Sequence, residues 1–260
     1  MFWNSPYFQN VASDFITLAL LLGIGGVAYR VTNRQRLVSF FRCASERTVV
    51  VYLSNLVIEQ WHSKDMDGSI RSYHGSAVPA YELDLVAPAF ALFLAPVPGL
   101  EGQRGLLGAL ALRDILVRVA VSPGEVADVQ QSGTLIVLGS SGYNVAARLA
   151  EVPASQPFAT LDPRGYIDLA HGRRGDLAGA DIAMIQKLYH AERGQWIFHV
   201  AGPTRAGTIC AYFYLLNRWK SLAREFGPAV PFVKVLRVSE IDVANPQVVY
   251  SAGGVPPDGA

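Results

Sequence analysis

An uninterrupted apolar run near the N-terminus, residues 15–31 (FITLALLLGIGGVAYRV), constrains this chain more than any other feature. At a rise of 1.5 Å per residue, a helix of this length is about 26 Å long, just enough to cross the hydrocarbon core of a bilayer. A cleaved signal peptide fits less well, because no Lys or Arg precedes the run and it lacks a small-residue cleavage site. A buried core helix is disfavoured by Gly23, Gly25 and Gly26, which membrane helices tolerate better. We therefore expect one transmembrane helix.

Basic residues on one side of this run predict its orientation. Arg30, Arg34, Arg36 and Arg42 lie at its end or follow closely, and nothing basic precedes it. Arginine-rich flanks stay in the cytoplasm, so we expect a single-pass protein with its N-terminus outside and its C-terminal part cytoplasmic. The lipid bilayer is then a partner. The glycines of the run also leave homo-oligomerisation through the membrane open, although no GxxxG motif is present.

The charge balance excludes one class of partner. The chain has 22 basic and 21 acidic residues, a formal net charge of +1, and no basic stripe interleaved with aromatic residues. Nucleic acid is therefore not an expected partner. Cys43 and Cys210 are too few and too far apart for a disulfide framework, and reduced thiols agree with a cytoplasmic location. Cys43, close to the span, is also a candidate for acylation.

Beyond the anchor, short β-branched runs alternate with helical patterns. The pattern predicts strands at 48–55, 115–121, 135–138, 182–189, 196–200 and 232–238, and helices at 80–94, 104–112, 144–151 and 208–226. Strands 182–189 and 196–200 are expected to pair across a short turn. The prolines within 85–100 favour a core helix there over a second membrane element.

This alternation predicts an α/β fold: a Rossmann-like, largely parallel sheet with helices on both faces, preceded by one transmembrane helix. The expected organisation is an N-terminal segment 1–44 with the span and the basic stretch, a cytoplasmic α/β ligand-binding domain 45–250, and a disordered tail 251–260.

Three predicted strands end in residue types suited to binding an anion. The first strand is followed by Ser54 and Asn55, the second by a GSSGYN turn, and the third by a glycine-bearing loop that opens the longest helix. Glycines allow close backbone approach, hydroxyls donate hydrogen bonds, and a helix N-terminus favours negative charge. The candidate ligand-binding residues are Ser54, Asn55, Gly139, Ser140, Ser141, Gly142, Asn144, Arg148, Gly202, Thr204, Arg205, Gly207 and Thr208. Any strand-to-helix turn uses similar residues for tight geometry and capping, so a purely structural role is the alternative.

Neither glycine-bearing loop matches a strict cofactor motif. The GSSG turn lacks the third glycine of the dinucleotide-binding fingerprint, and the later loop lacks the phosphate-binding lysine of GxxxxGK[ST]. We therefore expect no cofactor and no metal, and a ligand that carries phosphate, with a nucleotide as the leading class.

The polar segment 61–82 is a second candidate region. It is long for a connection between a buried strand and a helix, and such loops commonly line binding sites. His74 and Glu82 are a candidate acid–base pair, and Asp65 and Asp67 a candidate metal pair. A solvated insertion is the alternative interpretation.

The two glycine-bearing loops together resemble those of the SLOG group of Rossmann-like domains, which includes nucleotide-processing enzymes and sensors of nucleotide-derived ligands in bacterial defence. Gly139, Ser140, Ser141 and Gly142 match the first loop of that group, and Gly207 and Thr208 match the end of the second. The enzymes of the group have an acidic residue shortly after Gly-Thr, where this chain continues Ile-Cys-Ala-Tyr. The resemblance thus implies a ligand-binding module rather than a hydrolase.

Three functions are compatible with these patterns. The leading hypothesis is a membrane-anchored sensor or effector whose cytoplasmic domain binds a phosphate-bearing ligand, such as a nucleotide second messenger in bacterial defence signalling. The second is a membrane-tethered nucleotide or nucleoside hydrolase that uses Glu82 or Asp67. The third is a membrane scaffold that binds another protein at the ends of the sheet.

Overall fold

The structure, a computed structural model, describes residues 29, 31–43, 47–64, 70–94, 115–162, 164–177, 180–238 and 246–257. The chain divides into two compact units, Met1–Leu37 with Pro96–Arg113, and Val38–Ala95 with Asp114–Ala260. In the first unit, residues 29 and 31–37 are described and are helical. No helix within the described ranges is long and apolar enough to cross a membrane. Most of the expected span, residues 15–28 and 30, lies outside them, as does the helix predicted at 104–112.

The second unit contains a large sheet and two small ones. The strands are β1 (Thr48–Leu53), β2 (Leu56–Lys64), β3 (Ile70–Ala77), β4 (Leu116–Val121), β5 (Thr134–Leu138), β6 (Ala159–Asp162), β7 (Gly165–Asp168), β8 (Arg173–Asp176), β9 (Asp181–His190), β10 (Gln195–Ala201), β11 (Phe232–Val238) and β12 (Gln247–Gly253). The helices are α1 (described over 31–40), α2 (Ala80–Asp84), α3 (Val86–Leu94), α4 (Arg148–Glu151) and α5 (Arg205–Phe226). Short 3₁₀ turns lie at Val126–Asp128, Val145–Ala147, Pro153–Ser155 and Ala191–Arg193.

The large sheet has seven strands in the order β12-β11-β9-β10-β5-β1-β4. Strands β4, β1, β5 and β10 pair in parallel, while β9, β11 and β12 join by antiparallel pairing. The α/β prediction is therefore confirmed, and the prediction of a parallel sheet is confirmed for one half. The antiparallel half begins where β10 follows β9 through one 3₁₀ turn and Gly194, a connection too short for a parallel crossover.

Both faces of the large sheet are covered. On one face, Phe40 and Phe41 pack against rings of α3, α5 and the strands, with Phe41 and Phe93 centroids 4.8 Å apart and Phe40 and Trp219 centroids 6.2 Å apart. On the other face, residues of β1, β5 and β10 pack against Ala146, Ala147 and Leu149. Burial on two sides explains the continuous apolar runs TVVVYL and TLIVL, which are typical of parallel strands.

The structure confirms most predicted elements and corrects others. The helix expected at 80–94 is divided by a turn at Leu85, and the last helix begins at Arg205 rather than residue 208. The segment 61–82 is not an irregular loop, because much of it forms the antiparallel hairpin β2–β3. The prediction of a disordered tail from residue 251 onward is wrong for Ser251–Gly253, because β12 pairs with β11 through these residues. Cys43 and Cys210 are both buried, which leaves the thiol of Cys43 inaccessible for acylation.

Candidate functional site

The sheet brings the three predicted loops to one edge. In the register, Tyr52 of β1 is paired with Val137 of β5, and Leu138 of β5 with Val200 of β10. Since the three strands are adjacent and parallel, their carboxyl ends, and the loops that follow, lie side by side. This edge is the usual ligand-binding position in open α/β sheets.

A pocket of about 560 Å³ opens between these loops, a volume typical of small-molecule sites. Of the predicted residues, Ser54, Gly139, Ser140, Gly202, Thr204, Arg205 and Thr208 line it. The described lining residues that were not predicted are Pro79, Tyr81, Tyr143, Leu161, Asp162 and Pro203.

The first wall is built on Ser54 and a buried carboxylate. Glu82 is fully buried (0% exposed), and its Oε2 accepts the backbone N–H of Ser54 at 2.6 Å, while Oε1 accepts the hydroxyl of Tyr81 at 3.2 Å. Burial raises the pKa of Glu82, because the charged form loses its hydration. Burial and the adjacent Glu82 raise the pKa of Tyr81 to about 12, so this phenol stays protonated and donates. Glu82 thus orients lining residues without lining the pocket itself.

The second wall is the glycine-bearing turn after β5. Gly139 has a φ of +78°, a conformation that side-chain-bearing residues rarely adopt, and a Cβ there would lie 3.0 Å from Ser54 Oγ. The carbonyl of Gly139 is 2.9 Å from Nε2 of the buried His199 on β10. Because a carbonyl oxygen only accepts, Nε2 carries the proton of this hydrogen bond, and burial lowers the pKa of His199. The turn is therefore fixed from beneath by a strand residue.

The third wall is the N-terminus of α5. Thr204 caps this helix: its Oγ1 accepts the N–H of Gly207 at 3.1 Å, and its hydroxyl donates to the carboxylate of Asp181. Arg205 follows at the first helical position, exposed, with its guanidinium carbon 5.0 Å from the ring centroid of Tyr81. The helix dipole and Arg205 favour an anion at this wall, and the Asp181 carboxylate bonded to Thr204 offsets part of that positive potential.

Other predicted site residues support the pocket without lining it. Asn144 is fully buried; its Nδ2 donates to the carbonyls of Tyr52 and Leu138 at 3.1 and 2.8 Å, and its Oδ1 accepts from Ala146 N–H. Asn55 links two loops, because its N–H donates to the carbonyl of Tyr143 at 2.8 Å.

Four further predicted residues have no place in the wall of the pocket. The buried Gly207 is required for packing, since a Cβ on it would lie 2.0 Å from the carbonyl oxygen of Ile182. Ser141, Gly142 and Arg148 lie outside the pocket lining, and Arg148 is exposed.

Four of the lining residues that were not predicted lie in or next to segments that the sequence had indicated. Tyr143 and Pro203 belong to the loops already singled out, and Pro79 and Tyr81 lie where the predicted helix at 80–94 begins. No sequence pattern indicated Leu161 or Asp162, because β6 is four residues long and belongs to a separate three-stranded sheet.

The charges of the pocket restrict its chemistry. Among the described lining residues, Arg205 is the sole cation and Asp162 the sole carboxylate, and the hydroxyls of Ser54, Ser140 and Thr208 supply neutral hydrogen-bonding groups. The part of the chain that the structure describes contains no group of three or more His, Cys, Asp or Glu side chains able to hold a metal ion. Asp65 and Asp67 lie outside the described residues, and the placement of the His74 side chain is likewise outside them.

Comparison of the chain with known protein families, with curated proteins and with solved structures finds no match, so a functional assignment depends on the geometry of this pocket.

Proposed function

We propose that the protein is a membrane-anchored sensor or effector whose Rossmann-like unit binds a phosphate-bearing small ligand, of the nucleotide class, in this pocket. The observation that carries the proposal is the meeting of three strand-end loops around one cavity of about 560 Å³. This arrangement places hydroxyls, a helix N-terminus and an arginine around one cavity.

Arg205 is the group expected to hold the phosphate. It lines the pocket at the first turn of α5, where the helix dipole favours an anion, and it is exposed. Its contact with Tyr81 keeps the guanidinium over the cavity. Phosphate oxygens could then accept hydrogen bonds from Arg205 and from the hydroxyl of Ser140, which lines the same pocket.

The position of Glu82 favours binding over hydrolysis. A general base must reach the proton that it removes, yet Glu82 is buried behind Ser54 and Tyr81 with both oxygens engaged. The carboxylate in the lining, Asp162, is paired with Arg174. A sensor requires only the binding groups, and a coupling of about 1–3 kcal/mol between ligand and self-association would suffice for signalling.

Titration of the full chain in detergent or nanodiscs with a panel of nucleotides tests the proposal. We expect saturable binding that Arg205→Ala weakens about tenfold or more, because a charge-assisted hydrogen bond to phosphate is lost. Arg148→Ala is the matched control: it removes an exposed arginine near the same edge that lies outside the pocket lining, and should leave affinity unchanged. Absence of binding across the panel, or equal losses in the two variants, would overturn the proposal.

A further inference from the structure

One residue that lines the pocket, Asp162, has a carboxylate, which a site for anions alone does not require. Asp162 ends β6, in a sheet separate from the strands that carry the three loops, yet it lines the same pocket as Arg205. A bare phosphate could use Arg205 but would gain nothing from Asp162, whose charge Arg174 partly offsets. A ligand that also carries hydroxyl groups could use both side chains.

Asp162 is built to accept hydrogen bonds. Its Oδ1 accepts the N–H of Arg164 at 3.0 Å and a contact from the guanidinium of Arg174. The backbone hydrogen bond from Arg164, and then Arg174, hold the pKa of Asp162 below its usual range, so the carboxylate is ionised at neutral pH. An ionised carboxylate has acceptor sites on both oxygens and no proton to donate. Within the described part of the chain, the hydrogen bonds to Asp162 all go to Oδ1, which leaves Oδ2 available to a ligand.

The remaining wall suits a ring. Tyr143 is 60% exposed, and Pro79, Leu161 and Pro203 add apolar surface to the same lining. Sugar rings bind by placing their C–H faces against such surfaces while their hydroxyls reach polar groups, with a few placed polar groups fixing the orientation.

We infer that the ligand is a phosphate ester of a sugar, held with its phosphate at Arg205 and the N-terminus of α5 and with sugar hydroxyls donating to Asp162. This inference deepens the proposed function and rests on it: Asp162 is the residue that selects a hydroxyl-bearing phosphate ester over inorganic phosphate. A sugar phosphate alone and a nucleotide both contain this unit.

Calorimetric titration of the full chain with ribose 5-phosphate and with inorganic phosphate tests the inference. We expect the wild type to bind ribose 5-phosphate more tightly than phosphate. Asp162→Ala should lower the affinity for ribose 5-phosphate roughly tenfold or more, the usual effect of losing a hydrogen bond to a charged group. The same substitution should leave phosphate binding unchanged or tighten it, because a repelling charge is gone.

Arg174→Ala is the matched control. It removes the ion-pair partner of Asp162 but keeps the carboxylate, so the preference for ribose 5-phosphate should persist. A loss of preference in Arg174→Ala equal to that in Asp162→Ala would mean that the pair stabilises β6 without selecting the ligand, and would overturn the inference.

Different outcomes would overturn the proposed phosphate site and the inferred role of Asp162. Equal affinity of the wild type for both probes, with both weakened by Arg205→Ala, overturns the inference on Asp162 and leaves the phosphate site in place. Binding of neither probe, nor of any nucleotide, overturns both.

Discussion

At the scale of single residues, Lys187 is the most unusual side chain of the described core. It lies on β9, fully buried, and its Nζ donates to the carbonyl of Phe40 at 2.8 Å and to that of Pro228. The rings of Phe40, Trp196 and Phe198 surround it, with centroids 4.7–5.6 Å from Nζ. A neutral amine has two N–H groups, which is enough for both carbonyls. Burial, and then the charge of Arg42, lower the pKa of Lys187 to about 6.

This shift predicts a pH-dependent stability. Between the folded pKa of about 6 and the ordinary value of 10.5, the unfolded chain binds a proton that the folded chain does not. The free energy of unfolding should therefore rise with pH in this window, by up to about 1.4 kcal/mol per pH unit, and be flat with respect to this group below it. Lys187→Met should remove this rise, which urea denaturation of both proteins between pH 6.5 and 8.5 would measure. Parallel profiles for wild type and variant would contradict it.

For the predicted site residues, residue type indicated the position in the fold better than the role. Seven of the predicted residues line the pocket because hydroxyls, glycines and an arginine after buried strands are informative about position. The sequence did not distinguish lining from supporting roles: Asn144 and Gly207 have ligand-binding residue types, yet one satisfies strand-end carbonyls and the other allows close packing. That distinction depends on three-dimensional contacts.

At the scale of elements, the start of α5 depends on the absence of a side chain at Gly207. A Cβ at this position would lie 2.0 Å from the carbonyl oxygen of Ile182 on β9, so the helix would have to move away from the sheet. Gly207→Ala should lower the free energy of unfolding by about 1–3 kcal/mol, as overpacking usually does. Gly142→Ala is the control, since its nearest atom would be Ser140 Oγ at 3.8 Å. Chemical denaturation measures both, and equal stabilities would show that the helix adjusts freely.

Elements with long apolar or periodic sequences could be predicted, and elements held by pairing could not. Strands β1, β5, β9, β10 and β11 are buried on both faces, and α5 has 22 residues with a Gly-Pro stop, so their local sequence is decisive. The hairpin β2–β3, the short sheet β6–β8 and the terminal β12 are polar or brief. Their formation depends on partner strands, which a single sequence does not reveal. Asp162 was missed for this reason.

At the scale of the whole molecule, the membrane anchor remains a prediction about residues 15–31. The full chain should sediment with membranes and resist extraction by alkaline carbonate. The double substitution Leu20→Arg and Leu22→Arg should release it, because each arginine at the centre of a span raises the insertion free energy by about 2.5–3.5 kcal/mol. Gln9→Arg, outside the apolar run, is the control and should stay membrane-bound. Recovery of the wild type in the supernatant would refute the anchor.

The length of α5 has a consequence for the larger unit. The helix starts at the pocket with Arg205 and ends at Phe226, about 32 Å away at 1.5 Å per residue. Two turns before this end, Trp219 lies near the Phe40 ring. Just beyond the helix, the carbonyl of Pro228 accepts a hydrogen bond from Lys187, which also donates to the carbonyl of Phe40. A hydrogen-bonded helix is stiff along its axis, so α5 links the wall of the cavity to the aromatic core around Phe40 within the larger unit. A shift of Arg205 along this axis would therefore also move Trp219 against the Phe40 ring.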